Sequence, residues 1–312
     1  MNPLEVRNLS KSFGKTVALG DVSLDAATGE LLGLVGPDGG GKTTLFRIVT
    51  TLLLADSGTA TVLGLDVVKD FRAIRSRVGY MPGRFSLYPD LSVEENLDFF
   101  ASVFGTTREK GAAIIAPIYG QIEKFRDRRA GALSGGMKQK LALSCALVHR
   151  PEILFLDEPT TGVDAVSRKE FWDLLAGLRD SGLTIIVSTP YMDEASRCDR
   201  VALMQQGRIL AIDEPGKIGL QFKYPLFAVN QPERLKLINA LREYPGTHSV
   251  YPFGQDLHYA DKRTDAPVDQ IQSEVEKYAA SKGLRGFKIR PIEAGIEDAF
   301  MELMGKPAEI AA

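Results

Sequence analysis

The stretch "LLGLVGPDGGGKTTLFRIVTTLL", residues 31–53, decides the fold class of the chain. Residues 31–36 form a continuous apolar run that is typical of a buried strand, and a glycine-rich turn follows it. Residues 42–53 then favour a helix. Apolar strands keep alternating with helical patterns to about residue 215. This alternation predicts an α/β domain.

The turn itself predicts a phosphate site. Residues 36–44, "GPDGGGKTT", match G-x-x-x-x-G-K-[ST] between a strand and a helix, a context that a chance lysine in a glycine turn does not explain. Backbone N–H groups and the helix N-terminus suit phosphate, Lys42 can reach the β- and γ-phosphates, and the Thr43 hydroxyl can bind Mg²⁺. The expected nucleotide-binding residues are Gly36, Pro37, Asp38, Gly39, Gly40, Gly41, Lys42, Thr43 and Thr44.

Two acidic residues follow a second buried strand. Residues 153–159 are "ILFLDEP", so Asp157 and Glu158 lie at the carboxyl end of that strand, where α/β sheets bind their ligands. Alone, such a pair could be a helix cap or a solvated turn. Paired with the phosphate loop, Asp157 is expected to hold Mg²⁺ and Glu158 to activate the attacking water.

Composition narrows the class of protein and its surroundings. The 312 residues are 44% hydrophobic and 25% charged, as in an ordinary globular protein, and the net charge of −2 argues against a nucleic-acid partner. Cys145 and Cys198, the two cysteines, form no disulfide framework, which favours the cytoplasm. The start of the chain has no signal-peptide core, and no stretch approaches the roughly 18 apolar residues of a membrane span.

The pattern changes at "DEPGKIG", residues 213–219. We expect an α/β domain over 1–217 and a small α+β domain over 218–312. The second part predicts strands and helices in the order βαββαβ, followed by a last helix, which is the ferredoxin-like order. Its first strand is expected over 222–229, and its second helix is expected to bury Val268, Ile271, Val275 and Tyr278 on one face.

A helix is also predicted within the first domain over 92–104. Ser92 and Glu95 form a capping box at its start. Its expected apolar face comprises Leu97, Phe100, Ala101 and Phe104.

A third motif gives the chain a family resemblance. "LSGGMKQK", residues 133–140, comes shortly before the acidic strand, and the order phosphate loop, LSGG, LDEP resembles the ABC-type ATPases. In that family two such domains enclose two ATP molecules. The resemblance implies that Ser134, Gly135 and Gly136 face the γ-phosphate held by the opposite subunit, and that Phe13 stacks on adenine.

The resemblance covers residue 4 to about 215 and also implies partners. Residues 160–168 resemble the family's D-loop, and "YMDEASRCD", residues 191–199, resembles its drug-export branch. The chain would be a cytoplasmic ATP- and Mg²⁺-dependent subunit, held at the inner face of the membrane by separate permease chains. It would work in a homo- or heterodimer, and residues 83–104 would face the permease. Two alternatives stay open: a non-transport ABC ATPase acting on nucleic acid or ribosomes, and a weakly hydrolysing regulatory module.

Two positions depart from the family pattern. Gly83 stands where the family has a glutamine that senses Mg²⁺ and water, and Pro190 stands where it has a histidine that hydrogen-bonds the γ-phosphate. Neither residue has a side-chain donor or acceptor. The histidines, at 149, 248 and 258, offer no obvious substitute. The site on this chain's own phosphate loop is therefore expected to hold ATP but to turn it over slowly.

Overall fold

The chain divides into two compact units, Met1–Pro215 and Gly216–Ala312. The computed structural model describes residues 2–84 and 87–305. The break between the units follows Pro215, inside the 213–219 segment that the sequence marks as a seam. Within the described residues, no helix is long and apolar enough to cross a bilayer.

In its described residues, 2–84 and 87–215, the first unit contains ten strands and most of the α-helices. The strands are β1 Leu4–Phe13, β2 Thr16–Ala26, β3 Leu31–Val35, β4 Ser57–Val62, β5 Leu65–Asp66, β6 Val78–Met81, β7 Ile153–Asp157, β8 Thr184–Thr189, β9 Arg200–Gln205 and β10 Arg208–Asp213. The helices are α1 Lys42–Val49, α2 Phe71–Arg75, α3 Val93–Val103, α4 Arg108–Tyr119, α5 Gly135–Leu147, α6 Ala165–Asp180, α7 Met192–Ala195 and α8 Pro215–Gly219, which crosses the break.

The central sheet places the predicted motifs at one edge. Its six strands lie in the order β10-β9-β3-β8-β7-β6, and all neighbours are parallel except β10 and β9. These two strands form the hairpin around Gly207 that the pattern "VALMQQGRILAI", residues 201–212, predicts. The phosphate loop follows β3, the acidic pair lies at the end of β7, and β8 lies between these two strands. Since parallel strands end at the same edge, the loop and the acids meet there.

A second sheet completes this unit and was only partly anticipated. The order β2-β1-β4-β5 is antiparallel throughout. The sequence predicts only the strand over 4–13, because "LEVRNLSKSF" alternates like a half-buried strand. Leu4, Val6 and Leu9 of β1 pack into one buried cluster with Leu45 and Phe46 of α1. The helix that follows the phosphate loop therefore packs between the two sheets.

Two predicted helices differ from expectation in detail. The helix predicted over 42–53 ends at Val49, and Thr51 takes the left-handed φ of 66°, which ends helical geometry. In α3 the Ser92–Glu95 capping box forms as predicted. Phe104, however, ends this helix with 37% of its surface exposed, so the predicted apolar face is only partly buried.

The second unit has the predicted ferredoxin-like order. Its antiparallel sheet runs β12-β13-β11-β14, and α9 and α10 pack with its strands around a separate core. The first strand begins at 226, not 222, and Val268 is 42% exposed, so the predicted face of α10 starts at Ile271. The elements are β11 Leu226–Asn230, α9 Arg234–Glu243, β12 Thr247–Phe253, β13 Asp256–Asp261, α10 Val268–Ser281, β14 Lys288–Ile292 and α11 Ile296–Gly305.

Candidate active site

The loop over 36–44 connects β3 to α1 and needs glycine at two of its positions. A Cβ on Gly36 would lie 2.0 Å from the carbonyl oxygen of Met204, and one on Gly41 would lie 2.6 Å from that of Ala18. Gly41 also has a φ of 103°, which disfavours any other residue. The Gly36 N–H donates to the carbonyl of Thr189 at 3.2 Å, which ties the loop to the end of β8.

Accessibility differs along this loop. The structure leaves Pro37, Asp38 and Gly39 exposed, buries Gly36, Gly40 and Lys42, and holds Gly41, Thr43 and Thr44 half-buried.

Lys42 links the loop to the acidic pair. Its side chain is only 3% exposed, and Nζ donates to the carbonyls of Gly36 at 2.8 Å and Pro37 at 3.0 Å. Nζ also lies 3.3 Å from Oε1 of Glu158. The lysine that the sequence assigns to the phosphates and the glutamate that it assigns to hydrolysis are therefore neighbours.

Asp157 is fixed by the adjacent strand. It is the last residue of β7 and is 3% exposed, and Oγ of Ser188 on β8 donates to its Oδ1 at 2.7 Å. Mg²⁺ that arrives with a nucleotide is bound by one or two protein oxygens and by phosphates. The Asp157 carboxylate and the Thr43 hydroxyl fit that mode. No group of three or more metal-binding side chains occurs in the described part of the chain, so a protein-only cage is not supported.

Glu158 has a strained backbone. Its φ of 49° is unusual for a residue with a side chain, and such strain persists only where the surroundings impose it. Its N–H donates to both the carbonyl and Oγ of Ser188, at 3.1 and 3.0 Å. The turn directs the carboxylate toward Lys42, and the side chain keeps 22% exposure for a water molecule.

The two positions that lack family side chains border the same site. Gly83 follows β6, and a Cβ there would lie 2.9 Å from the Asp157 carbonyl oxygen and 3.8 Å from Cβ of Glu158. Pro190 follows Thr189, whose carbonyl accepts from the phosphate loop. Both residues therefore border the site, and neither supplies a polar side-chain group.

The LSGG residues form a capped helix start. Ser134 is exposed and accepts the N–H of Met137 at 3.4 Å as the N-cap of α5. Gly135 is exposed, whereas Gly136 is buried so tightly that a Cβ would meet Oγ of Ser167 at 2.6 Å. The backbone N–H of Ser167 is also the main cause that lowers the pKa of Asp164 in the D-loop segment. LSGG and D-loop residues therefore pack together.

Phe13, predicted to stack on adenine, is available for that contact. It ends β1 with 51% of its surface exposed, so it is not a core residue. The ammonium of Lys11 lies 5.7 Å from its ring centroid.

A groove of about 560 Å³ lies beside the Gly83 position. Two of the side chains that line this groove are uncharged near neutral pH, because burial raises the pKa of the Cys145 thiol and lowers that of His149. Burial, followed by the charge of Asp157, raises the pKa of Tyr80 to about 12. Lining residues come from α2, α3, α5, β6 and the segments just after α3 and α5, and include Arg72, Arg75, Tyr80, Met81, Phe100, Val103, Phe104, Cys145 and His149.

Sequence reasoning missed two polar residues that support this site. Ser188 binds both Asp157 and the Glu158 backbone, and Glu194 binds Thr160. Ser188 could have been suspected because it lies near the end of the strand that precedes Pro190. Glu194 gives no such signal, since it occurs in an ordinary polar segment.

These observations define the class: a nucleotide-binding α/β domain with a phosphate loop, an acidic pair and a second glycine-rich helix start that is exposed at Ser134 and Gly135. The family model described as "ABC transporter" matches residues 19–161. The probable multidrug ABC transporter ATP-binding protein YbhF of Escherichia coli (strain K12) is 38% identical over 89% of this chain, which spans 47% of that relative. Nod factor export ATP-binding protein I of Burkholderia pseudomallei (strain K96243) is 32% identical over 97% of both chains.

Solved structures give the same family. An ATP-binding subunit of an ABC transporter matches with a TM-score of 0.64 and 27% identity, over 70% of this chain and 92% of that one. The dimeric post-hydrolysis ATP-binding cassette MJ0796, bound to ADP and Pi, matches with a TM-score of 0.62 and 25% identity, over 68% and 98%. The chain therefore belongs to the ATP-binding subunits of ABC transporters, a family of ATPases.

Proposed function

We propose that this chain is the ATP-hydrolysing subunit of an ABC export system, in which closure of an ATP-bound dimer drives a separate membrane permease. The observation that carries the proposal is the proximity of Lys42 and Glu158, whose charged atoms lie 3.3 Å apart at the carboxyl edge of the sheet. A phosphate group bound by the loop over 36–44 would contact both. The relatives named for multidrug and Nod factor export support an exported substrate without identifying it.

The site residues divide the chemistry among them. Lys42 would exchange its loop carbonyls for β- and γ-phosphate oxygens and neutralise their charge. Thr43 and Asp157 would hold the Mg²⁺ that accompanies ATP, with Ser188 fixing the Asp157 carboxylate. Glu158 would accept a proton from the attacking water. Ser134 and Gly135, exposed at the start of α5, would complete the site of a partner domain.

The chain's own site is proposed to turn over slowly. Gly83 and Pro190 both border it, and neither offers a hydrogen bond to the water or to the γ-phosphate. Removing one positioned transition-state contact typically lowers a rate by roughly 10²–10³. We propose that this site mainly holds ATP, while the LSGG residues of this chain serve a faster site on the other domain.

The groove beside Gly83 is proposed to receive a short helix of the permease. Val103 and Phe104 expose apolar surface at 60% and 37%, and Arg72 and Arg75 line the groove from α2. An amphipathic helix with an acidic residue at one end would match this lining. Docking there would place the chain at the cytoplasmic face of the membrane. Phe85 and Ser86, in the segment expected to face the permease, lie outside the described residues.

ATPase assays with and without the permease test this function. Val103→Asp should abolish stimulation by the reconstituted permease and leave the basal rate unchanged, because the new charge would enter an apolar contact. Val68→Asp is the matched control, since Val68 is similarly exposed at 55% but does not line the groove. Full stimulation of the Val103→Asp protein would contradict the docking proposal.

One observation also favours a second candidate function. Because Gly83 and Pro190 remove two polar contacts, a nucleotide-binding regulatory module that barely hydrolyses ATP is the alternative. Permease stimulation would be absent in that case. The same pair of assays therefore separates the two functions.

A further inference from the structure

Glu194 is a buried carboxylate that joins two segments of the first unit. It lies in α7 and is 4% exposed. Its Oε1 accepts the hydroxyl of Thr160 at 2.8 Å, and its Oε2 accepts that of Thr189. Both carboxylate oxygens are therefore hydrogen-bonded. Burying an ionised carboxylate is unfavourable unless such bonds compensate for the lost water.

The two threonines come from opposite sides of the candidate site. Thr160 lies two residues after Glu158, in the turn whose strained backbone aims that carboxylate at Lys42. Thr189 precedes Pro190, and its carbonyl accepts the first N–H of the phosphate loop. The Glu194 side chain thus connects the turn that carries the hydrolytic acid to the strand end that supports the phosphate loop.

Among the described residues, Arg168 forms ion pairs with both Glu194 and the neighbouring Asp193. Nη1 of Arg168 lies 4.0 Å from Oε1 of Glu194, and Nη2 of Arg168 lies 3.6 Å from Asp193. Asp193 is 70% exposed. The hydroxyl of Thr189 also accepts the N–H of Tyr191 at 3.0 Å, so it is bonded in both directions.

We propose that Glu194 is a positioning residue for hydrolysis: it holds the turn of Glu158 against the strand end before Pro190 and thereby keeps the Glu158 carboxylate directed at the phosphate loop. Such strain at an active site persists only when neighbouring contacts impose the geometry. Because Pro190 has no polar side chain, the contacts of this strand end come from Thr189, through its carbonyl to the phosphate loop and its hydroxyl to Glu194. The inference rests on the proposed role of Glu158.

The first test is hydrogen–deuterium exchange, which does not depend on turnover. In Glu194→Gln the amide nitrogen cannot accept a threonine hydroxyl and can only donate to its oxygen, so one bond must reverse its direction and both bonds lose the carboxylate charge, while size is kept. We expect peptides covering 158–164 and 189–195 both to exchange about tenfold faster, because both hydrogen bonds lose their charged acceptor and hydrogen bonds to charged groups are stronger than neutral ones by a factor of this size. Asp193→Asn, which alters the neighbouring exposed carboxylate, should change neither peptide. Faster exchange in only one of the two peptides, or in neither, would overturn the link.

The second test separates positioning from folding. Glu194→Gln should lower kcat for Mg-ATP about tenfold and leave the ATP Kd within twofold, whereas Asp193→Asn should alter neither. Thr160→Val, which removes only the bond on the Glu158 side, should reproduce the loss of kcat and serves if Glu194→Gln fails to fold. If Glu158→Gln abolishes hydrolysis but kcat is unchanged in both Glu194→Gln and Thr160→Val, the inference is refuted and the role of Glu158 stands. No effect of Glu158→Gln would instead refute that role.

Discussion

The two halves of the candidate site lie at the same sheet edge but offer different chemistry. On one side Lys42, Asp157 and Glu158 present charged groups held by hydrogen bonds, and each is buried or half-buried. On the other side Gly83 and Pro190 present no polar side chain, although the backbone at both positions borders the site: a Cβ on Gly83 would lie 2.9 Å from the Asp157 carbonyl oxygen, and the Thr189 carbonyl before Pro190 accepts from the phosphate loop. Backbone architecture can therefore be complete where side-chain chemistry is missing. This difference is what the predictions below are designed to test.

Pro190 illustrates how one residue fits the fold while lacking a catalytic group. It follows the last residue of β8, where proline is tolerated because no ladder hydrogen bond is needed. The preceding Thr189 still supports the phosphate loop and still binds Glu194. The strand end keeps its structural role, and only the expected contact with the γ-phosphate is lost.

The largest effect is expected from Glu158→Gln on the charged side. Removing a general base typically lowers a rate by about 10²–10⁴, so the ATPase rate of the purified chain should fall at least about a hundredfold. ATP binding should persist, because Lys42 and the loop remain. Single-turnover hydrolysis and equilibrium ATP binding measure the two quantities. Glu152→Gln, at a surface ion pair with Arg77, is the control. Residual hydrolysis at the original rate would remove Glu158 from the mechanism.

Restoring the missing groups on the other side should raise the rate. Pro190→His is expected to increase the ATPase rate of the chain alone roughly tenfold, because it supplies a donor at the end of β8. Gly83→Gln should help less on its own, since its Cβ would lie 2.9 Å from the Asp157 carbonyl oxygen and the loop must shift. The double variant should be fastest.

Steady-state assays of the unmodified chain provide the critical comparison. If it already hydrolyses ATP at ordinary transporter rates without a partner, the side chains missing at Gly83 and Pro190 are not needed for hydrolysis. The proposed unequal roles of the two sites would then be wrong.

A smaller effect is expected in nucleotide affinity. Lys42→Ala removes the cation buried beside the loop and should weaken Mg-ATP binding at least tenfold, equivalent to about 1.4 kcal/mol. Lys110→Ala, at an exposed position on α4, is the control and should bind ATP normally. Equal affinity of the Lys42→Ala and unmodified proteins, measured by calorimetry, would place the nucleotide elsewhere.

The parts of this molecule that the sequence predicts are those with local patterns. The strand, loop and helix over 31–49 combine apolar runs with fixed glycine positions, and the Ser92–Glu95 box requires only four adjacent residues. The βαββαβ order of the second unit follows from alternation and turns in the same way.

What the sequence could not predict depends on contacts between distant segments. Glu194 is buried only because Thr160 and Thr189 converge on it, and a glutamate in α7 would otherwise be expected at the surface. The pairing of β4 with β1 likewise joins segments about fifty residues apart and has no local signal. The prediction that the helix continues beyond Val49 was wrong because Thr51 adopts a left-handed backbone conformation that its residue type does not favour.

The smallest effect is expected from removing the second unit, and it tests whether the nucleotide site is independent. The buried cluster around α1 draws its residues from 4 to 204, and the core of the second unit draws its own from 227 to 289. Each unit therefore buries its own apolar surface, and a chain ending at Lys217 should fold and bind Mg-ATP within about twofold of the full-length affinity. Calorimetric binding and a melting curve measure the two properties. A truncated chain that unfolds cooperatively but no longer binds ATP would show that residues 218–312 contribute directly to the site, and their proposed accessory role would have to be abandoned.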